Sequence, residues 1–203
     1  MARVKREHPG HSHGGTCWRT RAVLKKHLSD DFNRRCAYCD DRDFYCGGIN
    51  SFHIDHFAPK SKFPKLEFEY KNLMYSCPYC NLAKSDKWPS DDSRLNVVGK
   101  SGFVDPCTDE YEEHLERAEN GIIRAKTELG SYMVHELKLY LQRHAIFFLM
   151  DELRDRRQLL MERINDYRLK GKDFAVLSYA LCVVNEYIVE YLDLWESSLE
   201  LDV

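Results

Sequence analysis

Between Phe52 and Lys84 the chain gathers most of the side chains that could do chemistry: His53, Asp55, His56, Asn72, Cys77, Cys80, Asn81 and Lys84. A second Cys-x-x-Cys pair, Cys36 and Cys39, stands just before them. The two pairs together supply four thiolates, the ligand set of a closed structural zinc site. One pair alone would say little. Two pairs, in a chain whose first residues show no apolar leader, read as metal ligands rather than as disulfides. The segment between them is longer than in a simple zinc ribbon, so it must carry structure of its own, with its two ends tied by the metal. Cys46 is near enough in sequence to compete as a ligand. Cys17, Cys107 and Cys182 fall outside the pairs, and Cys182 lies in an apolar helical run that suits a core position.

Asp55 and His56 are neighbours in a stretch that reads as a strand, so their side chains point to opposite faces. That divergence suits phosphodiester cleavage, in which attack and departure occur on opposite sides of phosphorus. Neutral imidazole at His56 is available near pH 7 as a general base for water. Asp55 can hold a divalent cation against the leaving oxygen. A carboxylate and an amide oxygen suit Mg²⁺ or Mn²⁺, and Asn81, rigidly placed after the last cysteine, is the amide candidate. Lys84 lies one helical turn beyond Asn81 on the same face. Lys84, Lys60 and Lys62 are the candidate contacts to a nucleic-acid backbone. His53 shares a strand face with Asp55 and is read either as a metal or phosphate contact or as a satisfied structural histidine.

Several elements must position these groups. Residues 16–33 predict a helix with Trp18, Val23, Leu24, Leu28 and Phe32 on its apolar stripe and Arg19, Arg21, Lys25 and Lys26 outside it. That basic face is open to nucleic acid or simply to solvent. Residues 51–57 predict a strand stopped by Pro59, and residues 66–74 an extended or irregular passage. Pro78 marks the first turn of a short helix that ends before Trp88-Pro89. Glu112–Ala118 and Ile122–Lys126, joined through Asn120-Gly121, predict a β-hairpin, with a helix ending at Gly121 as the competing reading. From about Ser131 the pattern is helical. Met133, Leu137 and Leu141 mark one helix, and Leu149, Leu153, Leu160, Ile164 and Tyr167 a second. Phe174, Leu177, Leu181, Val184, Ile188, Tyr191 and Trp195 form an a/d seam on a third. Pro9, Gly10, Gly14 and Gly15 exclude a regular element at the start, where His8, His11 and His13 read as a polar tail able to bind metal.

With 43% apolar and 31% charged residues the chain can build a core and remain soluble. No run of about 20 apolar residues is apparent and no signal peptide is expected, so the chain is read as cytoplasmic, with no membrane partner. Residues 1–100 carry 18 Lys and Arg against 12 Asp and Glu, whereas residues 101–203 carry 12 against 21. The basic half thus coincides with the cysteine motifs, as a phosphate-binding surface requires. The acidic half suits scaffold or protein contact.

Taken together, Cys-x-x-Cys, Asp55-His56 with Pro59, Asn72-Leu73, and Cys77-x-x-Cys80-Asn81-x-x-Lys84 resemble the zinc-bearing branch of the HNH endonucleases. The resemblance implies an α+β fold: a ββα-metal core stapled by zinc, with an N-terminal helix and a mostly helical C-terminal region. It implies that His56 is the general base, that Asp55 and Asn81 ligate the catalytic cation, and that Asn72 braces the loop carrying His56. Asn81 replaces the histidine of many members, which leaves the identity of the cation open. A narrower likeness runs through Asp55-His56-Phe57-x-Pro59-Lys60-Ser61, Tyr70-x-Asn72-Leu73-x-x-Ser76-Cys77 and Phe103-Val104-Asp105-Pro106-Cys107, with His114-Leu115 and Asn120-Gly121-Ile122 downstream. It is similar to the HNH (PtuB-like) subunit of Septu-type and retron-linked anti-phage systems. It implies an ABC/SMC-like ATPase partner of PtuA type. The expected organisation is residues 1–35 as tail and basic helix, 36–107 as nuclease core, and 108–203 as hairpin and helices for docking. The substrate is expected to be DNA, with RNA open. The competing readings are a zinc-stapled nucleic-acid-binding module without catalysis and a stand-alone restriction-type nuclease.

Overall fold

In the computed structural model, which describes residues 3–7, 9–13 and 20–201, the first helix α1 (Arg21–Asp31) opens on Thr20, whose hydroxyl accepts the Val23 amide. This side-chain oxygen satisfies a backbone donor that the first turn leaves without a partner. Leu24 and Leu28 bury one face. Asn33 and Arg34, both with positive φ, turn the chain out of the helix. His8, Cys17 and the expected helix start at Thr16 lie outside the described residues.

The chain divides into two compact units, residues 1–144 and 145–203. In the first, β1 (His53–His56) and β2 (Leu73–Ser76) pair antiparallel, with His56 opposite Leu73 and Asp55 opposite Met74. The residues read as extended or irregular therefore supply a second strand, beginning at Leu73. Helix α2 (Pro78–Lys84) follows at once, with proline in its first turn and the Cys77 sulfur accepting the Cys80 amide as its cap. It ends at Ser85, whose φ is 50°. A two-residue ladder, β3 (Val97–Val98) with β4 (Ser101–Gly102), leads to a short helix α3 (Glu110–His114). The hairpin through Asn120-Gly121 forms as β5 (Leu115–Arg117) and β6 (Ile123–Ala125), so the competing helix does not. Its first arm is shorter than expected because Glu110–His114 is helical.

Helix α4 (Glu128–Glu136) is capped by Thr127 and stops at Leu137 and Lys138, the latter with positive φ. It starts earlier than expected, and Leu141 belongs to the next connection. Gly130 sits where an added Cβ would collide with the His114 carbonyl, so α4 can lie close on the hairpin. In the first unit an apolar core joins Leu28, Phe32, Tyr38, Phe52, Tyr75, Phe103, Tyr111, Leu115 and Met133.

Helix α5 (Gln142–Leu169) begins in the first unit and runs into the second, which it forms with α6 (Ala175–Leu201). Phe147 stacks edge-on against Trp195 at 5.5 Å, and Arg157 donates to Asn185 at 3.0 Å. Both pairs are centred on Gly171, the positive-φ residue of the turn, so the helices run antiparallel. Leu177, Leu181, Val184, Ile188, Tyr191 and Trp195 are half-buried, as an a/d seam should be, while Val176 and Tyr179 are 81% and 73% exposed. The two apolar faces together overturn one expectation. The stretch Ala175–Ser198, with mean hydropathy 1.3, is long and apolar enough to cross a membrane by length and composition.

Candidate metal centre and active site

Cys36 and Cys39 sit on a tight turn in which the Cys36 amide donates to the Asp41 carbonyl and the Asp40 amide returns to the Cys36 carbonyl. The turn is held on β2 by the Ala37 amide, which donates to the Tyr75 carbonyl at 2.8 Å. Cys77 and Cys80 occupy the first turn of α2. All four are buried free thiols whose sulfurs lie within 4.8 Å of one another. The Cys39 and Cys77 sulfurs are 3.7 Å apart. Four sulfurs held tetrahedrally at about 2.3 Å from zinc would be separated by about 3.8 Å, so the thiols fit that ion. Burial pushes the Cys39 and Cys80 thiols well up, and keeping them as thiolates therefore takes a cation. Cys46 is outside this set and accepts instead from the Arg143 guanidinium at 3.4 Å.

The two faces of β1 differ as its period requires. His53 and Asp55 turn toward α2. The Asn81 amide nitrogen lies 3.0 Å from His53 Nδ1. Lys84, one turn on, lies 3.3 Å from an Asp55 oxygen and donates to the His56 carbonyl at 2.8 Å. Tyr38, from the first cysteine turn, donates to Asp55 at 2.6 Å. Burial pushes the Asp55 carboxyl up and the Lys84 ammonium down, and each is opposed by the other's charge. Lys84 is fully buried, which corrects its assignment as a phosphate contact. A lysine withdrawn from water must be paired, and Asp55 and the His56 carbonyl are its partners.

His56 faces the other way, half-buried. Its Nε2 lies 3.0 Å from the Glu67 carbonyl. A carbonyl only accepts, so Nε2 carries the hydrogen and Nδ1 keeps the lone pair. Burial pushes its pKa below the usual 6.5, leaving the ring neutral at pH 7. Asn72 stands behind it: its Oδ1 accepts the Ala58 amide, and its Nδ2 donates to the Ala58 and Leu66 carbonyls. One side chain thus closes the loop that leaves His56. Lys60 pairs with Glu67 at 2.8 Å and is exposed, while Lys62 donates to the Trp88 carbonyl. Burial and the charges of Lys25 and Arg21 lower the pKa of His53, so the basic side of α1 borders this site.

Other polar groups carry no local signature. Tyr38 was indistinguishable from a core aromatic. Arg117 is buried and donates to the carbonyls of Val4, Cys39, Gly121 and His144. The described part of the histidine tract is no loose tail: His11 bonds the Leu73 carbonyl at 2.7 Å and packs edge-on to Phe32 and Tyr70, and His13 donates to Asp31. Its polarity hid the fact that β2 offers it an acceptor.

Residues 36–87 match the family model described as HNH endonuclease. The chain is 29% identical over 140 residues to the Septu protein PtuA of Bacillus mycoides (strain KBAB4), covering 58% of this chain and 19% of that protein. It is 29% identical over 125 residues to the Septu protein PtuB of the same strain, covering 51% and 41%. To the PtuB of Bacillus thuringiensis it is 27% identical over 130 residues, covering 62% and 44%. The chain spans less than half the length of these curated relatives. An HNH domain therefore occupies residues 36–87, with the antiparallel hairpin, following helix and four-cysteine cluster expected of its zinc-bearing form.

Proposed function

We propose that this chain is a metal-dependent endonuclease that hydrolyses phosphodiester bonds, of DNA first of all, as the nuclease component of a Septu-type defence assembly. The observation that carries the reading is the pair of unlike neighbours on β1. His56 presents a neutral, lone-pair-bearing Nδ1 on one face, and Asp55 stands with Asn81 and Lys84 on the other. His56 takes the proton from a water molecule, and the water oxygen forms its bond to phosphorus as the bond to the leaving oxygen breaks. The Glu67 carbonyl fixes the ring tautomer, and Asn72 fixes the loop. Asp55 and Asn81 supply hard oxygen donors that would hold Mg²⁺ or Mn²⁺. Such a cation, when bound, stabilises charge on the leaving oxygen. Lys84 already offsets the charge of Asp55, so the protein's own grip on that cation is modest and substrate phosphate completes it. Arg21, Lys25 and Lys60 border the site and suit the nucleic-acid backbone.

The likeness to PtuA and PtuB supports an ATPase partner of PtuA type, and the exposed apolar face of α6 is where we place its docking. Packing of that face on protein fits a cytoplasmic chain. The decisive experiment is nicking of supercoiled plasmid with Mg²⁺ or Mn²⁺, with and without EDTA, by the purified chain and its co-purified genomic neighbour. Cutting lost on His56→Ala and on chelation is expected. Binding without cutting by the unaltered protein would favour the silent binding module.

A further inference from the structure

The proposed chemistry leaves one side chain of the cation face without a task. His53 lies two residues before Asp55 on β1, so the two share a strand face. Two contacts set that face against α2: His53 meets Asn81 at 3.0 Å, and Asp55 meets Lys84 at 3.3 Å. The His53 backbone is paired with Ser76 of β2, and its ring is half-buried. The ring therefore has a fixed place from which to act on the helix.

The atoms that meet are Asn81 Nδ2 and His53 Nδ1. An amide nitrogen only donates, so Nδ1 accepts and the ring hydrogen sits on Nε2. The consequence falls on the other end of the amide. An asparagine side chain has two ends of nearly equal shape and opposite polarity, and only Oδ1 can ligate a hard cation. Turned end over end, the same side chain would present N–H groups, which a cation repels. The helix does not choose between the two, because the last torsion of asparagine is broad and roughly two-fold. An acceptor fixed behind the nitrogen does choose.

We propose that His53 is a positioning residue: by accepting from Asn81 Nδ2 it locks the amide with Oδ1 free for the cation. The inference rests on the reading of Asp55 and Asn81 as the ligands of that cation, and their donor chemistry fits it, since both offer hard oxygens. His53 as a third ligand is the weaker reading. Its Nδ1 is spent on Asn81 and its Nε2 bears a hydrogen, so neither nitrogen has a lone pair to give. The device is needed only because residue 81 is an amide. A carboxylate there would present an oxygen whichever way it turned.

The test measures Mn²⁺ binding by electron paramagnetic resonance. It uses the full zinc-loaded chain carrying His56→Ala, which holds a DNA oligonucleotide without cutting it. His53→Ala should weaken Mn²⁺ binding about 10- to 100-fold, the usual cost of losing a group that orients a ligand. His53→Gln, whose Oε1 can accept from the same amide, should recover part of the loss. Asn81→Asp supplies the decisive arm. In that background His53→Ala should weaken binding by no more than about twofold, the scatter of uncoupled sites. An equal loss in both backgrounds would make His53 a ligand or a merely structural group and overturn the proposal. Unchanged binding in a folded His53→Ala chain would overturn it too. Zinc content and the unfolding midpoint identify the folded variants, and His53→Phe, which keeps a ring without an acceptor, makes the same comparison if the alanine variant does not fold. A parent that binds no Mn²⁺ beside DNA would take down the cation reading and this inference with it, whereas Mn²⁺ bound without regard to His53 sinks the positioning role alone.

Discussion

The two units obtain their order by opposite means. In the first, the six strands are two to four residues long and α2 has only seven residues. Strands and helices so short have little stability of their own. They are pinned by cross-links: four cysteines, Asn72 across its loop, Lys84 between strand and helix, and Arg117 among four carbonyls. The second unit is α6 together with most of the 28-residue α5, held along an apolar seam. The contrast explains where chemistry can reside. A site needs side chains fixed to fractions of an ångström, and the cross-links just named supply that in the first unit.

Metal removal should break the comparison most visibly. Structural zinc contributes on the order of 10 kcal/mol or more to small folds of this kind. A chelator, or Cys77→Ser, should abolish the cooperative unfolding of the first unit while the far-ultraviolet helical signal of α5 and α6 largely persists. Equal loss of both would show that the second unit also depends on the metal. Arg117→Ala comes next. It leaves four carbonyls and the nearby Asp40 and Asp41 without their buried cation, and breaking buried charge networks costs about 3–5 kcal/mol. Urea unfolding should report that loss. Arg117→Lys should recover only part, since one ammonium cannot reach four acceptors.

The residues that were legible in the sequence are those whose partners lie near in the chain or share a metal. The cysteine pairs, the Asp55–His56 alternation and the one-turn spacing of Asn81 and Lys84 all follow from local periodicity. The a/d seam of α6 was legible for the same reason. What was not legible depends on contacts between distant segments. Lys84 reads as a phosphate contact until Asp55 is seen beneath it, 29 residues away. Tyr38 gains its role only when the first cysteine turn docks on β2. Arg117 and His144 lie 78 and 103 residues from Cys39 and Asp41, and no motif spans such distances. β2 was missed because its polar flank at Tyr70–Asn72 is a 3₁₀ turn feeding directly into it.

Two changes at the catalytic loop sharpen the contrast between holding the fold and doing chemistry. His56→Ala should cost about 10²- to 10⁴-fold in cleavage with little change in unfolding. In the unaltered protein, burial lowers the His56 pKa, so the free base is already present at pH 7. Cleavage should stay flat near neutrality and fall only below pH 6.5, as the ring takes a proton. An inflection above 6.5 would contradict the buried, neutral base. Asn72→Ala should act on both sides of the contrast. Losing its bonds to Ala58 leaves buried backbone groups unpaired, at about 1–3 kcal/mol. Cleavage should drop even where the protein remains folded, because the loop behind His56 loosens.

The smallest expected effect on stability carries the most information about the second unit. Val176 and Tyr179 project from α6 on the side away from its seam, and both are largely exposed. Surface substitutions of this kind usually change stability by no more than about 0.5 kcal/mol. Tyr179→Lys should therefore leave the unfolding midpoint and helical signal where they were, whereas Leu181→Ala in the half-buried seam should lower the midpoint measurably. Large exposed apolar side chains in a row mark a surface kept for another molecule. If that molecule is the ATPase partner, Tyr179→Lys should weaken co-purification without altering the metal content or the basal cleavage of the chain. Undiminished capture would place the partner elsewhere. A shift of the unaltered chain into the membrane fraction, reversed by Tyr179→Lys, would assign the face to lipid, for which the apolar length of Ala175–Ser198 suffices.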